Sequence, residues 1–339
     1  MKKIIYFLAT IFAIAFTSCS DQDEIDIKYQ TNIKIVPSNV ISSFSGYSIG
    51  GKTYGLDMYE DENGKAELRI TALLYDDSGK LVQKSESLLN DYSSDYSVSY
   101  TLDEGKEYTL IAISSSIQKI GSKIDEAYEI YNENELSKLQ IKQNYKSSYY
   151  SNWTILGVAK CEVTSGNDIS LNLKPATAMC ILHYNSIHTY DSTGVTQFAF
   201  IYHGNDLLNI KDGNFIYSST AAENGNFADF LDVTQNEGQN IVDIINIFPV
   251  ENMNYFGRLW IGENYGDFED ISGQGKGNTN IAAGSTYNIY IDCALLDISI
   301  TQTRESYSQE SYVKDEINSN NKLKPEFSTV KEKVINLSK

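Results

Sequence analysis

Basic residues are scarce in this chain. Its 339 residues include 27 Lys and Arg against 45 Asp and Glu, which gives a formal net charge of −18. Without residues 1–18, which hold two lysines and no acid, 25 basic residues face 45 acidic ones, a net charge of −20. A chain this acidic repels polyanions, so the composition disfavours nucleic acid and anionic lipid surfaces as partners.

Residue patterns for catalysis and metal binding are missing. The three histidines, His183, His188 and His203, lie in an apolar strand pattern, a polar segment and a turn pattern. The sequence has no G-x-S-x-G elbow, phosphate loop, H-E-x-x-H or calcium loop. The glycine-rich residues 273–278 lack the strand–loop–helix setting of a phosphate cradle. We therefore predict a protein that is not an enzyme and needs no cofactor or metal.

Cysteine is also scarce, with four residues at Cys19, Cys161, Cys180 and Cys293. No C-x-x-C pair is present, so the spacing does not indicate a metal site. Two interpretations of the last three remain open: an oxidised Cys161–Cys180 pair, or buried thiols on strands.

Long apolar runs are absent except at the start of the chain. Lys2 and Lys3 precede an apolar stretch over residues 4–16 that is short for a membrane span and typical of an export signal. Residues 17–19, Thr-Ser-Cys, resemble the lipobox of bacterial lipoproteins. The resemblance implies that residues 1–18 are removed and that fatty acyl chains, such as palmitate, hold Cys19 in the membrane. The alternatives are an ordinary signal peptide with an incidental cysteine and an uncleaved anchor.

Acidic residues follow the cysteine at once, at Asp21, Asp23 and Glu24. They resemble the surface-export signal of Bacteroides-type lipoproteins, which implies a protein on the outer face of the outer membrane. A solvated tether is the alternative interpretation. We assign residues 19–30 as an acidic tether.

The remaining composition is that of a β protein, with 25 tyrosines and only 4 prolines. Residues 66–75 and 167–173 alternate apolar and polar side chains, as half-buried strands do. Pro175 marks a joint, because proline interrupts a ladder of main-chain hydrogen bonds. We predict an all-β chain with one domain over 31–174, a second over 175–297 and a polar tail over 298–339. Residues 115–155, polar and rich in Tyr, Ser and Asn, are predicted to form a surface loop.

Two segments about 180 residues apart share the pattern apolar-x-x-Gly-x-x-Tyr-x-apolar. Gly105 and Tyr108 belong to the first, and Gly284 and Tyr287 to the second. A glycine permits a sharp turn, and a tyrosine three residues later can bond its hydroxyl back to the connection, as in the tyrosine corner of sandwich domains. We predict that the pair occupies the same position in two tandem sandwiches.

These features together resemble the fimbrillin superfamily of fimbrial subunits and anchor lipoproteins. The resemblance rests on residues 17–24 (TSCSDQDE), on residues 68–82 followed by 102–114, and on residues 169–184. It implies two tandem transthyretin-like β-sandwiches, export as a lipoprotein, and a structural or adhesive role in a surface fimbria. The implied partners are outer-membrane lipid, other fimbrial subunits and a host or glycan ligand.

The sequence departs from that family at the step that prepares subunits for assembly. In polymerising members an arginine-specific protease removes the first strand, and a neighbour's strand replaces it. The three arginines here are Arg69, Arg258 and Arg304, so none precedes residue 69. Either another residue is cut, or the chain keeps its lipid and acts as an anchor or base subunit. In the tail, residues 327–337 have the apolar content for a donated strand or a short amphipathic helix, and a loosely ordered tail is the alternative.

Two other functions remain open. A surface glycan-binding lipoprotein would need exposed aromatic rings, and the candidate cluster is Tyr145, Tyr149, Tyr150 and Trp153. A fimbrillin-fold lipoprotein that never polymerises is the third.

Overall fold

The computed structural model describes most of the chain as β-strands. It describes residues 27–42, 48–49, 52–53, 65–120, 123–144, 155–187, 194–217, 227–233, 240–304 and 333–335. The strands of the first half are β1 (Lys28–Val36), β2 (Ser48–Ile49), β3 (Lys52–Thr53), β4 (Lys65–Tyr75), β5 (Leu81–Leu89), β6 (Tyr96–Asp103), β7 (Glu107–Ile120), β8 (Lys123–Glu126), β9 (Tyr128–Tyr131), β10 (Gln140–Gln143), β11 (Gly157–Thr164), β12 (Ile169–Asn172) and β13 (Lys174–Pro175).

The second half continues the same architecture. Its strands are β14 (Ala178–Asn185), β15 (Val195–Tyr202), β16 (Leu207–Asn209), β17 (Asn214–Ile216), β18 (Phe227–Asp232), β19 (Ile241–Ile247), β20 (Val250–Ile261), β21 (Asn264–Asp267), β22 (Lys276–Ile281), β23 (Thr286–Asp292), β24 (Asp297–Arg304) and β25 (Lys333–Ile335). The described helices are short: α1 (Ser38–Ser42), α2 (Phe268–Ser272) and one 3-10 turn (Leu136–Lys138). No helix in these ranges is long and apolar enough to span a membrane. The all-β prediction is confirmed.

Two sheets of the first half pack face to face and form the first sandwich. One has the order β12-β1-β6 and the other β13-β11-β7-β4-β5, with β8 beside β7. Ile35 and Leu171 of one sheet share a buried core with Leu68 and Leu110 of the other. Ala66, Leu68, Ile70, Ala72 and Leu74 all point into this core, as the alternation of residues 66–75 predicts.

The second half forms the second sandwich in the same way. Its sheets have the orders β19-β14-β23-β24-β25 and β18-β15-β20-β21, with β22 also paired to β20. Tyr184 and Ile289 of one sheet pack with Phe200 and Tyr255 of the other.

The two sandwiches repeat one order of seven strands, numbered along the chain. The seven are β1, β4, β5, β6, β7, β11 and β12 in the first sandwich, and β14, β15, β18, β19, β20, β22 and β23 in the second. In each, the first strand lies between the fourth and the seventh and runs parallel to the seventh: β1 beside β12, and β14 beside β23. The other sheet is ordered third, second, fifth, sixth in both. This parallel pairing places the first strand of each sandwich beside its seventh, so the two ends of each seven-strand segment lie together.

A third layer joins the sandwiches. Strands β9 and β10 of the first half and β16 and β17 of the second form one sheet in the order β17-β16-β10-β9, here called the bridging sheet. It covers a buried cluster that includes Leu73 and Ile111 of the first sandwich and Phe248 of the second. Strands β4, β7 and β11 of the large sheet are therefore covered on both faces where this cluster lies.

The bridging sheet corrects the prediction of a loop over residues 115–155. The described part of that segment contains the end of β7 and the whole of β8, β9 and β10. Tyr128 and Ile141 are buried, with 2% and 0% of their surface exposed, because they pack on the outer face of the first sandwich. Apolar residues are too sparse along this polar segment for the alternation to be visible.

Two predicted boundaries also move. Lys28–Gln30, assigned to the tether, are the first residues of β1 and pair with Asp103, Leu102 and Thr101. The tail does not begin at 298, because β24 continues to Arg304 with Ile298 and Ile300 turned into the core. Pro175 ends the two-residue edge strand β13, and β14 begins at Ala178. The division at residue 175 stays a prediction.

Candidate functional site: tyrosine corners, sheet edges and an aromatic sheet face

Several predicted site residues lie outside the described ranges. These are Cys19 with Asp21, Asp23 and Glu24, and the candidate glycan contacts Tyr145, Tyr149, Tyr150 and Trp153. Lipid attachment, surface export and glycan contact at these positions remain predictions.

The two Gly–Tyr segments adopt the same local geometry. Gly105 and Gly284 have φ values of +72° and +69°, in the left-handed region that favours glycine. Three residues later, the hydroxyls of Tyr108 and Tyr287 accept hydrogen bonds from the main-chain N–H groups of Asp103 (3.4 Å) and Ala282 (3.1 Å). In both cases the donor precedes the tyrosine by five residues. Each corner thus fixes a crossing from one sheet to the other.

The two corners occupy different places in the seven-strand order. Tyr108 lies at the start of β7, the fifth strand of the first sandwich, and Tyr287 at the start of β23, the seventh strand of the second. The prediction of a shared position is therefore wrong. The motif recurs because both connections change sheets and need the same sharp turn. The two sandwiches therefore resemble each other in their strand order and not in the position of the Gly–Tyr motif.

The described cysteines are buried thiols. No disulfide joins Cys161, Cys180 and Cys293, so the interpretation as buried thiols fits the structure. Burial raises the pKa of Cys293 to about 12 and raises the pKa of Cys180 further, which keeps both thiols protonated and unreactive.

The described histidines have structural settings. The Nε2 atom of His183 lies 2.8 Å from Oδ1 of Asn288, and its ring stacks on Tyr290 at 4.6 Å between ring centres. His203 is exposed, and its main-chain N–H bonds to Asn254. Within the described ranges, no group of three or more His, Cys, Asp and Glu side chains is placed to hold a metal ion.

Arg69 has a structural partner in the middle of a sheet. It belongs to β4, which is paired on both sides by β5 and β7. Its guanidinium forms two hydrogen bonds with Glu126, at 2.5 and 3.0 Å, and its side chain is 14% exposed. A protease needs an extended, accessible segment, so this paired arginine is a poor cleavage site.

Charged side chains lie on the edge strands of two of the described sheets. On β5, Lys84 forms ion pairs with Glu86 (3.2 Å) and Glu133 (2.8 Å). On β19, the Asp243 carboxylate accepts the main-chain N–H of Ile244 at 2.7 Å. Both arrangements hinder the addition of a further strand.

One edge already carries an added strand. β25, from the far end of the chain, pairs antiparallel with β24 through three residues: Lys333 with Gln302, Val334 with Thr301 and Ile335 with Ile300. β25 lengthens this sheet by one strand through ladder pairing, as in strand addition.

A buried carboxyl group and a partly buried one face each other in the second sandwich. Asp229 of β18 and Asp243 of β19 both point between the sheets, and the Tyr184 hydroxyl donates to Asp229 at 2.8 Å. Burial, and then the negative charge of Asp243, raises the pKa of Asp229 to about 7. Burial also raises the pKa of Asp243.

The outer face of the second sandwich presents an aromatic row of Phe230, Trp260 and Tyr265. The ring centres are 5.7 Å apart from Phe230 to Trp260 and 6.2 Å apart from Trp260 to Tyr265. Arg258 lies among these rings, and its guanidinium carbon is 4.2 Å from the ring centre of Tyr265. The sequence patterns did not predict this row. The alternation of Phe256, Arg258 and Trp260 could have indicated an aromatic strand face, but nothing local predicts that Phe230 joins it.

Comparison with known proteins gives structural likeness alone. No family model matches the chain, and no curated protein matches it. One similar solved structure is a candidate polysaccharide-binding protein from Bacteroides thetaiotaomicron, with 11% identity over 84% of this chain and 99% of that one, and a TM-score of 0.46. A candidate adhesin from Bacteroides ovatus has 11% identity, coverages of 84% and 97%, and a TM-score of 0.45. A fimbrial assembly protein from Parabacteroides distasonis has 8% identity, coverages of 82% and 96%, and a TM-score of 0.39.

Proposed function

We propose that this chain is a non-enzymatic lipoprotein of the outer cell surface that serves as a structural or adhesive subunit of a fimbria. In this proposal Cys19 holds the chain in the outer membrane, and Asp21, Asp23 and Glu24 direct it to the outer face. Subunits join by strand donation.

The observation that carries this proposal is the pairing of β25 with β24. The second sandwich is extended by a strand that is separated from β24 by 28 residues, and the contact uses main-chain groups. An edge that accepts such a strand from its own chain has the geometry to accept the same strand from a neighbour. The charged side chains on β5 and β19 disfavour strand addition at those two edges.

The position of Arg69 supports an anchor or base subunit. Its place in a doubly paired strand and its bonds to Glu126 disfavour cleavage there. A subunit that keeps its first strand also keeps its lipid, and it can still donate β25 to the β24 edge of a neighbouring subunit.

The native protein purified from cell envelopes tests this function. We expect a ladder of denaturant-resistant species that contains this chain and other subunits. Val334→Pro removes a main-chain N–H from β25 and should abolish the ladder. Ser319→Pro places the same residue elsewhere in the tail and should leave the ladder intact. A monomer in the wild type would refute assembly.

Surface display has its own test. Protease added to intact cells should degrade the wild-type chain. Replacement of Asp21, Asp23 and Glu24 by alanine should protect the chain and leave it in the outer membrane. Protection of the wild type would place the protein on the periplasmic side.

A further inference from the structure

The aromatic row is exposed where a β protein usually places polar residues. Phe230 and Tyr265 are 54% and 63% exposed, and Trp260 is partly exposed. The three rings span four neighbouring strands, because Phe230 lies on β18, Trp260 on β20 and Tyr265 on β21, with β15 between the first two. An exposed aromatic patch of this extent marks a binding surface more often than a packing accident.

Cross-strand packing explains only part of the row. Trp260 lies opposite Tyr265 in the β20–β21 ladder, so these two rings stabilise the hairpin. Phe230 has a different register partner, Ala199, which also lies opposite Arg258 and is fully buried. A small residue at that position lets Phe230 reach Trp260 across the intervening strand, which makes the row continuous.

Arg258 is held rigidly within the row. Two hydrogen bonds join its guanidinium to the Asp267 carboxylate, at 2.5 and 3.1 Å. Its guanidinium carbon also lies 5.4 and 5.9 Å from the ring centres of Phe256 and Trp260. A fixed pair of donor and acceptor beside exposed rings loses little conformational freedom when a ligand binds.

The chemistry of the row fits a sugar. A sugar ring has C–H groups that pack on aromatic faces and hydroxyls that need donors and acceptors in the same plane. The aromatic row supplies the faces, and Arg258, Asp267 and the outward-facing Gln197 supply the hydrogen-bonding groups. Because the Arg258 charge is balanced by Asp267 and the whole chain is acidic, an anionic ligand is disfavoured.

The angles between the rings further limit the class of ligand that fits this surface. Neighbouring rings are inclined by 54° and 47° to each other, so the row is twisted. A flat crystalline polysaccharide surface needs rings in one plane. We propose that the aromatic row Phe230–Trp260–Tyr265, with Arg258 and Asp267, binds a neutral soluble oligosaccharide or polysaccharide chain. This binding requires neither the lipid nor strand donation.

Affinity gel electrophoresis of the purified chain tests the proposal with soluble neutral polysaccharides in the gel: β-glucan, xylan, arabinan, mannan and starch. We expect at least one to retard the wild type. Trp260→Ala combined with Tyr265→Ala should weaken the apparent affinity at least tenfold, whereas Trp260→Phe should retain part of it. Tyr290→Ala, an exposed tyrosine on the other sheet of the same sandwich, is the matched control and should leave retardation unchanged.

Circular dichroism of each variant separates lost binding from lost folding. If none of the five polysaccharides retards the wild type, the proposal is refuted. It is equally refuted if the double variant is folded and retarded as strongly as the wild type. Loss of retardation in Tyr149→Ala, Tyr150→Ala and Trp153→Ala, with no loss in the double variant, would place the glycan site in the loop instead.

Discussion

Ile141 lies opposite Leu208 in the ladder that joins the two halves of the chain. Both side chains are buried, with 0% and 2% of their surface exposed. The contact ties strand β10, between the fifth and sixth strands of the first sandwich, to β16, between the second and third strands of the second.

This contact predicts that both sandwiches unfold together. We expect one calorimetric transition for the soluble chain that lacks residues 1–18 and carries Cys19→Ser. Ile141→Ala should lower the free energy of unfolding by about 2–5 kcal/mol, because it leaves a cavity under the bridging sheet. Val82→Ala, at a position 53% exposed, should have little effect. Two separate transitions in the parent chain would contradict a rigid connection.

The tyrosine corners predict two sizes of destabilisation. Tyr108→Phe and Tyr287→Phe remove the hydroxyl that accepts a main-chain N–H and should each cost about 0.5–1.5 kcal/mol. Tyr108→Ala and Tyr287→Ala should each cost about 3–5 kcal/mol, since the rings are 7% and 1% exposed. Urea unfolding measures both. Tyr290→Ala, at a position 40% exposed, is the control; an equal loss there would remove the special role of the corners.

The carboxyl pair of Asp229 and Asp243 predicts a pH dependence of stability. The pKa of Asp229 is raised in the folded chain from 3.8 to about 7, so the folded state binds a proton that the unfolded state has released. Stability should therefore be full near pH 4 and fall as the pH rises to about 7, by at most about 1.4 kcal/mol per pH unit from this group. The charged and hydroxyl groups near it include Asp243, Tyr184 and Tyr202.

Asp229→Asn isolates that contribution. The asparagine oxygen can still accept the hydrogen bond from Tyr184, and the side chain stays neutral at every pH. The variant should be more stable than the parent at pH 7.5 and should lose less stability between pH 4 and 7. Asp270→Asn, an exposed site in the same half, should keep the parent's slope. A parent slope that Asp229→Asn leaves unchanged would show that other groups cause it.

Lipid attachment is the prediction that depends most directly on sequence. Cells grown with a fatty-acid analogue should label the wild-type chain and not Cys19→Ser. Since Cys161, Cys180 and Cys293 are buried, they should not substitute for Cys19. Equal labelling of both chains would show that Cys19 is not the attachment site.

Sequence patterns predicted the local structure better than the arrangement of strands. The alternation of residues 66–75 predicted the strand β4 and the face that it turns into the first sandwich. It did not predict the burial of Leu73 and Tyr75 on the opposite face, which the bridging sheet covers. The pairing of Ile141 with Leu208 was not predictable in this way. These residues are 67 positions apart, and each lies in a short strand within a polar segment.

In the candidate sites, too, local features were predictable from sequence and features that depend on strand arrangement were not. The turn at Gly105 and the bond from Asp103 to Tyr108 follow from a local pattern, whereas the place of each corner in the strand order depends on the whole sheet. The aromatic row needed the register of β18, β15 and β20, which brings Phe230 beside Trp260 across 30 residues of chain.

The pairing of Thr301 with Val334 offers the most direct measurement of strand donation. Two chains, one with Thr301→Cys and one with Val334→Cys, would be expressed together and oxidised in intact envelopes. Donation between subunits predicts a disulfide-linked dimer of the two different variants, which neither variant forms alone. A disulfide that appears only within the double variant, with none between the single variants, would contradict assembly through this strand.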